Sequence, residues 1–281
     1  MGPPGLAALL RRVGRAEGRR GDRGPPRRPG GKGDILLYLA LRAVSSYSHV
    51  MPRTARASVG GLCYHVLNRG NGRAKVFHHD ADYDGFIDLL RQAVTRLPVR
   101  ILGYALMPNH FHLVLWPRND GDLSRWMQWL LTAHVRRYHR RYLGSGHVWQ
   151  GRFKAFPIEA DEHLWAVLRY VERNALRADL VRRAEDWRWS SLFWHGRRPD
   201  WLSDAPAERP RNWIALVNAA QRPAEEAALR RSINRGTPFG DETWTRRIAR
   251  RLGLESTLRP RGRPRKADKK AAKTPSLFGE E

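Results

Sequence analysis

An α+β fold with a βαββαβ core is what this 281-residue sequence predicts, and three observations carry it. Short apolar runs of strand character alternate with longer amphipathic stretches, in the order strand, helix, strand, strand, helix, strand, helix. The second and third strands are separated only by Pro108-Asn109, a spacing that closes an antiparallel hairpin. Forty-one per cent of the residues are hydrophobic, with eleven Trp among them, enough to build a core around such a sheet.

The elements follow in order. Leu62–Leu67 (LCYHVL) reads as a strand that stops at the turn-rich Asn68-Arg69-Gly70-Asn71-Gly72. Asp80 or Asp82 caps a helix running to about Thr95, with Phe86, Ile87, Leu89, Leu90 and Val94 on its apolar face, and Leu97-Pro98 ends it. Val99–Met107 is the second strand and His110–Trp116 the third. A long helix starts at Asp122 and runs to about Tyr142, carrying Trp126, Trp129, Leu130, Leu131 and Val135, until Gly144-Ser145-Gly146 breaks it. A fourth strand falls within Phe153–Ile158, and a further helix spans Asp161 to about Ala175. This order is the ferredoxin-like one with an added helix after it. Beyond it, Ala224–Asn234 and Glu242–Leu252 read as helices on either side of Gly236-Thr237-Pro238-Phe239-Gly240.

The charge narrows the partner. Fifty-two Lys and Arg stand against 27 Asp and Glu, a formal net charge of +25, and a polyanion is the natural partner for such a surface. Residues 1–50 hold +7 of it and residues 255–281 hold +4, so the middle of the chain is itself basic. The nine Gly and five Pro of residues 1–50, with Arg at no period, predict a disordered basic extension or an overlong gene start. The predicted layout is therefore an extension over 1–50, a folded unit over 51–200, a helical segment over 201–254 that is a candidate DNA-binding module, and a disordered basic tail over 255–281. Cys63 is the one cysteine, which excludes an internal disulfide and a multi-cysteine zinc cluster. No run of ~18 apolar residues is present to span a membrane as a helix. The expectation is a cytoplasmic, nucleoid-associated protein.

His110-Phe111-His112 is the first place where chemistry is visible. On a strand, residues two apart share a face, so both imidazoles project together; they are either half of a metal site or polar residues on a solvated face. Tyr170 and Asn174, four apart, share one face of the last predicted helix of the core. Two neutral imidazoles and an amide oxygen would leave a divalent ion its full charge and open positions, suited to neutralising a phosphoryl-transfer transition state. A phenol is a poor nucleophile at neutral pH and needs deprotonation and an aligned phosphorus. Tyr138 and Tyr142 are rival phenols, in a basic helical run that reads equally as a phosphate contact or a solvated face.

Pro108-Asn109-His110-Phe111-His112-Leu113-Val114 resembles the histidine–hydrophobic–histidine motif of single-tyrosine HUH transposases, and Tyr170-Val171-Glu172-Arg173-Asn174 resembles their nucleophile helix. More closely, the chain resembles the REP-associated tyrosine transposases, through Gly61–Val66 with Asn68-Arg69-Gly70, through Gly146–Lys154 and through Asp186–Ser191. The resemblance runs from about 52 to 195, loosely to 266, and leaves 1–50 unmatched. It implies a ferredoxin-like domain in which His110 and His112 hold Mg²⁺ or Mn²⁺ and Tyr170 attacks single-stranded, hairpin-bearing DNA, giving a 5′-phosphotyrosine and a free 3′-OH. Asn174 fits the third ligand, with Glu172 as the other candidate. The implied protein is a metal-dependent tyrosine transposase, monomeric or homodimeric. Two other readings stay open: a regulator that binds DNA through a decayed site, and a nuclease whose metal activates water.

Two further segments predict DNA contacts. Trp149, Gln150, Arg152 and Lys154 mix stacking, hydrogen-bonding and charged groups in one stretch, although Trp149 would serve equally as a core plug. Trp187 and Trp189 are expected to be structural. Arg261-Gly262-Arg263-Pro264, within PRGRPRK, resembles an AT-hook that would enter the minor groove of an A·T-rich duplex, or else is a basic tail without preference.

Overall fold

A computed structural model describes residues 58–259; the extension over 1–50 and the AT-hook-like Arg261, Gly262, Arg263 and Pro264 lie outside these residues. Four strands form one antiparallel sheet: β1 (Cys63–Arg69), β2 (Val99–Met107), β3 (His110–Pro117) and β4 (Lys154–Ile158). Their order across the sheet is β2-β3-β1-β4, which with the helices between them is the ferredoxin-like topology. Helices α1 (Asp80–Arg96) and α2 (Asp122–Tyr142) connect β1 to β2 and β3 to β4. The expected helix over 161–175 is present as α3 (Glu162–Glu172) followed by the short α4 (Asn174–Arg177). Among the described residues three α-helices come after it: α5 (Trp213–Asn218), which the sequence pattern did not announce, α6 (Pro223–Arg235) and α7 (Glu242–Leu252).

Strand alternation gives the sheet two apolar faces. Tyr64, Val66, Tyr104, Leu106, Phe111, Leu113 and Leu115 pack with residues of α1 and α2 in one core. Cys63, Ala105, Val114, Phe156 and Ile158 pack with Leu164, Val167, Leu168 and Val171 of α3 in a second. The added helix thus covers the face that a bare βαββαβ unit would leave open. Gly103 permits its close approach: a Cβ there would lie 2.5 Å from Leu168 Cδ2.

Both sheet edges are covered. Leu106 N donates to Trp189 O and Ser203 N to Ile101 O along β2, while Phe239 N donates to Pro157 O and Glu159 N to Phe239 O along β4. This blunts edges that would otherwise pair with other chains.

One boundary matters for the site. The sequence pattern predicts a turn at Asn68 and Arg69, but β1 continues through both, because Asn68 pairs with Phe111 and Arg69 with His110. Cross-strand pairing outweighs the turn preference of these polar residues. Arg69 therefore stands on the sheet beside the first histidine.

Candidate active site

The β2–β3 hairpin turns at Pro108-Asn109 and sets His110 and His112 on the sheet face covered by α3, their rings 5.0 Å apart. Each imidazole is held through Nδ1. His110 Nδ1 lies 2.6 Å from Asn109 Oδ1, and His112 Nδ1 lies 2.8 Å from Nε2 of His65 on β1. The His65 and His112 rings stack within 6° of parallel. Both Nε2 atoms are without a hydrogen-bond partner among the described residues. A tautomer with Nδ1–H toward its partner leaves the Nε2 lone pair free, and a metal-binding imidazole is commonly oriented by such a bond from its other nitrogen.

Burial also keeps the pair neutral. It lowers His110 to about 4, with Arg69 and Arg177 adding to the effect, and holds His112 well below the ordinary range, reinforced by the neighbouring histidines and the same two arginines. Neutral imidazoles suit a cation and the Arg69 guanidinium suits an anion, whereas Arg177 is already paired with Glu226 Oε1 at 2.8 Å.

Tyr170 comes to this face from the last turn of α3. Its ring meets His112 edge-on at 5.9 Å and His65 at 6.5 Å, and the Arg177 guanidinium lies over it at 4.5 Å. The residue is buried, yet nothing among the described residues hydrogen-bonds to its phenol oxygen.

Residues 58–174 match a family model described as "Transposase IS200 like". Two solved structures are similar over part of the chain. One is described as a REP-associated tyrosine transposase bound to a REP hairpin, at 20% identity and TM-score 0.44, covering 57% of this chain and 99% of that one. The other is a candidate transposase from Deinococcus radiodurans R1, at 21% identity and TM-score 0.32, covering 43% of this chain and 95% of that one. No curated protein matches the chain.

The expected third ligand is placed less simply. Asn174 is buried at the start of α4, its Oδ1 accepting from Arg177 Nη2 at 3.0 Å while Nδ2 has no partner. Its Oδ1 keeps a second lone pair, so the bond from Arg177 does not by itself remove Asn174 as a ligand. Glu172 is turned elsewhere: fully buried, it accepts from Ser191 Oγ and Trp213 Nε1, each at 2.6 Å, and ties α3 to α5.

The rival phenols are employed in packing. Tyr142 donates to Asp82 Oδ2 at 2.5 Å and Tyr138 bonds His78 Nε2 at 3.1 Å, pinning α2 to the start of α1. Burial and the bond to Asp82 raise the Tyr142 phenol above its ordinary value.

Among the DNA-facing candidates, Trp149 resolves as the core plug. Its indole is buried against Phe77, Phe86, Phe111 and His134, so it is not placed to stack on a base. Gln150, Arg152 and Lys154 are exposed and line one cavity. Trp187 and Trp189 are structural, donating to Leu106 O and Asp84 Oδ1.

The sequence pattern does not single out His65, Arg69 or Arg177. Nor does it single out Glu159, Asp161 and His163, whose ligand atoms lie within 4.8 Å of one another and could hold a divalent metal. That group sits at the other end of α3 from Tyr170, roughly 13 Å along the helix at 1.5 Å per residue. Its donors already carry structure: Asp161 caps α3 and Glu159 Oε2 accepts from Asp241 N at 2.9 Å. Among the described residues no helix is long and apolar enough to cross a membrane.

Proposed function

We propose that this protein is a metal-dependent DNA transposase that cleaves and rejoins hairpin-bearing single strands through Tyr170. The observation that carries the reading is the meeting of the Tyr170 ring with His112, the second histidine of the pair, under the Arg177 guanidinium. Residues 51–200 are read as the catalytic unit. The hairpin substrate comes from the sequence resemblance.

In this reading the Tyr170 oxygen forms a bond to phosphorus as the bond from phosphorus to the neighbouring 3′-oxygen breaks. The phenol proton is given up to solvent, and the 3′-oxygen takes one from it. The 5′-phosphate stays on the tyrosine, and attack by another 3′-OH reverses the step, so no nucleotide is consumed. Arg69 binds and orients the phosphate, Arg177, itself paired with Glu226, lies over the Tyr170 ring, and His65 and Asn109 orient the two ligand imidazoles. Mg²⁺ or Mn²⁺ held by His110 and His112 would supply Lewis-acid stabilisation of the phosphoryl oxygens.

The test uses single-stranded oligonucleotides from DNA flanking the gene, labelled at either end, incubated with protein and Mn²⁺ or Mg²⁺ and resolved on a denaturing gel. A label should remain on the wild-type protein and be lost in Tyr170→Phe; His110→Ala and His112→Ala should lose cleavage as well. Metal-stimulated cleavage retained in Tyr170→Phe would sink the nucleophile assignment. It would favour a metal-activated water instead, for which Glu159, Asp161 and His163 are the alternative ligands.

A further inference from the structure

A set of cations without acidic partners among the described residues faces a cavity of about 290 Å³ that opens between strands β1 and β4 and α6. Arg69, Gln150, Arg152 and Lys154 line one side, and Ile233 and Asn234 from the last turn of α6 line the other. Arg69, Arg152 and Lys154 have no carboxylate partner among the described residues, although 27 acids are present in the chain. Three uncompensated cations in a concavity attract an anion; the size suits one base-scale group rather than a duplex.

Its position relative to the histidines is fixed by strand register. His112 pairs with Leu67, and Leu67 pairs with Lys154, so these three form one row across the sheet. Strand spacing puts Lys154 roughly 10 Å from His112. Arg69 belongs to both places: it stands directly opposite His110 across the sheet and lines the cavity.

The remaining walls are what a base needs. Leu67 and Ile233 are apolar, while Gln150 and Asn234 present side-chain amides. An amide offers a donor and an acceptor side by side, the pattern that reads a base edge in a bidentate way. The Asn68 amide is engaged by contrast, donating to Gly151 O and accepting from Arg69 N.

We infer that this cavity holds one unpaired nucleotide next to the scissile phosphate. Its phosphate lies on Arg69, Arg152 and Lys154, its base contacts Leu67 and Ile233, and Gln150 and Asn234 select its identity. The inference rests on the DNA-cleaving reading above and adds a specificity site to it. It also gives the helical segment after residue 200 a defined role, because α6 closes the cavity and so takes part in reading the single strand.

A fluorescent pool of DNA hairpins with randomised single-stranded flanks, bound in EDTA so that no strand is cut, tests it. Bound molecules are sequenced for the full-length wild type, Gln150→Ala, Asn234→Ala, and Arg231→Ala, which is exposed on α6 outside the cavity. The wild type should enrich one base at a flank position. Asn234→Ala and Gln150→Ala should lose about tenfold of that enrichment there, as for a lost bidentate base contact, and keep selection elsewhere. Arg231→Ala should keep the wild-type profile. An unchanged profile in both amide variants overturns the inference. So does retention of hairpins with no base selection, which leaves the DNA reading standing. Failure to retain any hairpin overturns the DNA reading and this site with it.

Discussion

At the scale of single residues, the chain buries imidazoles without charging them. Burial lowers both His65 and His134 to about 3. His134, on α2, lies among Phe77, Phe86, Tyr138 and Trp149, and its Nδ1 has no partner. An unfolded chain takes up a proton on this histidine below pH ~6.5, whereas the folded chain refuses it down to about pH 3. Its contribution therefore lowers stability as pH falls through that window and has no effect above it. His134→Phe removes the contribution and fills the site with another ring. Compared by urea denaturation at pH 7 and pH 4.5, the variant should gain on the wild type by about 2–3 kcal/mol across the interval, at 1.36 kcal/mol per pH unit. A constant difference between the two pH values would mean that His134 is protonated in the folded protein.

At the scale of elements, α3 decides whether Tyr170 reaches the histidines, and Glu172 anchors its end. The carboxylate accepts from Ser191 and Trp213 with no exposure to water. Glu172→Ala leaves the buried Trp213 Nε1 without a partner and Ser191 Oγ with only its 3.3 Å bond to Tyr104 O to donate to, and hydrogen bonds to a charged group contribute ~1.5–3 kcal/mol each. A loss of about 3 kcal/mol or more in denaturant unfolding is expected, with Glu172→Gln losing less because it keeps an acceptor. Equal stability of Glu172→Ala and wild type would show that α3 is held without this anchor. The elements themselves were largely legible in the sequence, because apolar period and turn residues are local signals: the Pro108-Asn109 hairpin and the Asp122–Tyr142 helix stand where their residues put them. His110, His112 and Tyr170 were legible as a pattern. The roles of Glu172 and His65 were not, since each depends on a partner 19 to 47 positions away, and Trp149 stayed open between stacking and core for the same reason. Arg69 was misread for the same reason, its strand conformation being set by pairing with His110.

At the scale of the whole molecule, a net charge of +25 predicts binding to any nucleic acid, with or without a hairpin, so affinity alone says little about the site. Its salt dependence says more. The logarithm of the binding constant falls with the logarithm of salt concentration by about 0.7 for each phosphate neutralised on a single strand. Arg152 and Lys154 lack acidic partners among the described residues, so their charge is free for phosphate. Arg246 differs, since it pairs with Glu242 on α7. Replacing Arg152 and Lys154 together by Ala should reduce the slope by about 1.4, equally for hairpin and unstructured oligonucleotides, because phosphate contacts carry no sequence information. Arg246→Ala, whose charge already has a partner, should move the slope less. Fluorescence anisotropy titrations between about 50 and 300 mM NaCl measure both. An unchanged slope in the double variant would show that the strand runs elsewhere over the basic surface, away from the groove beside His110.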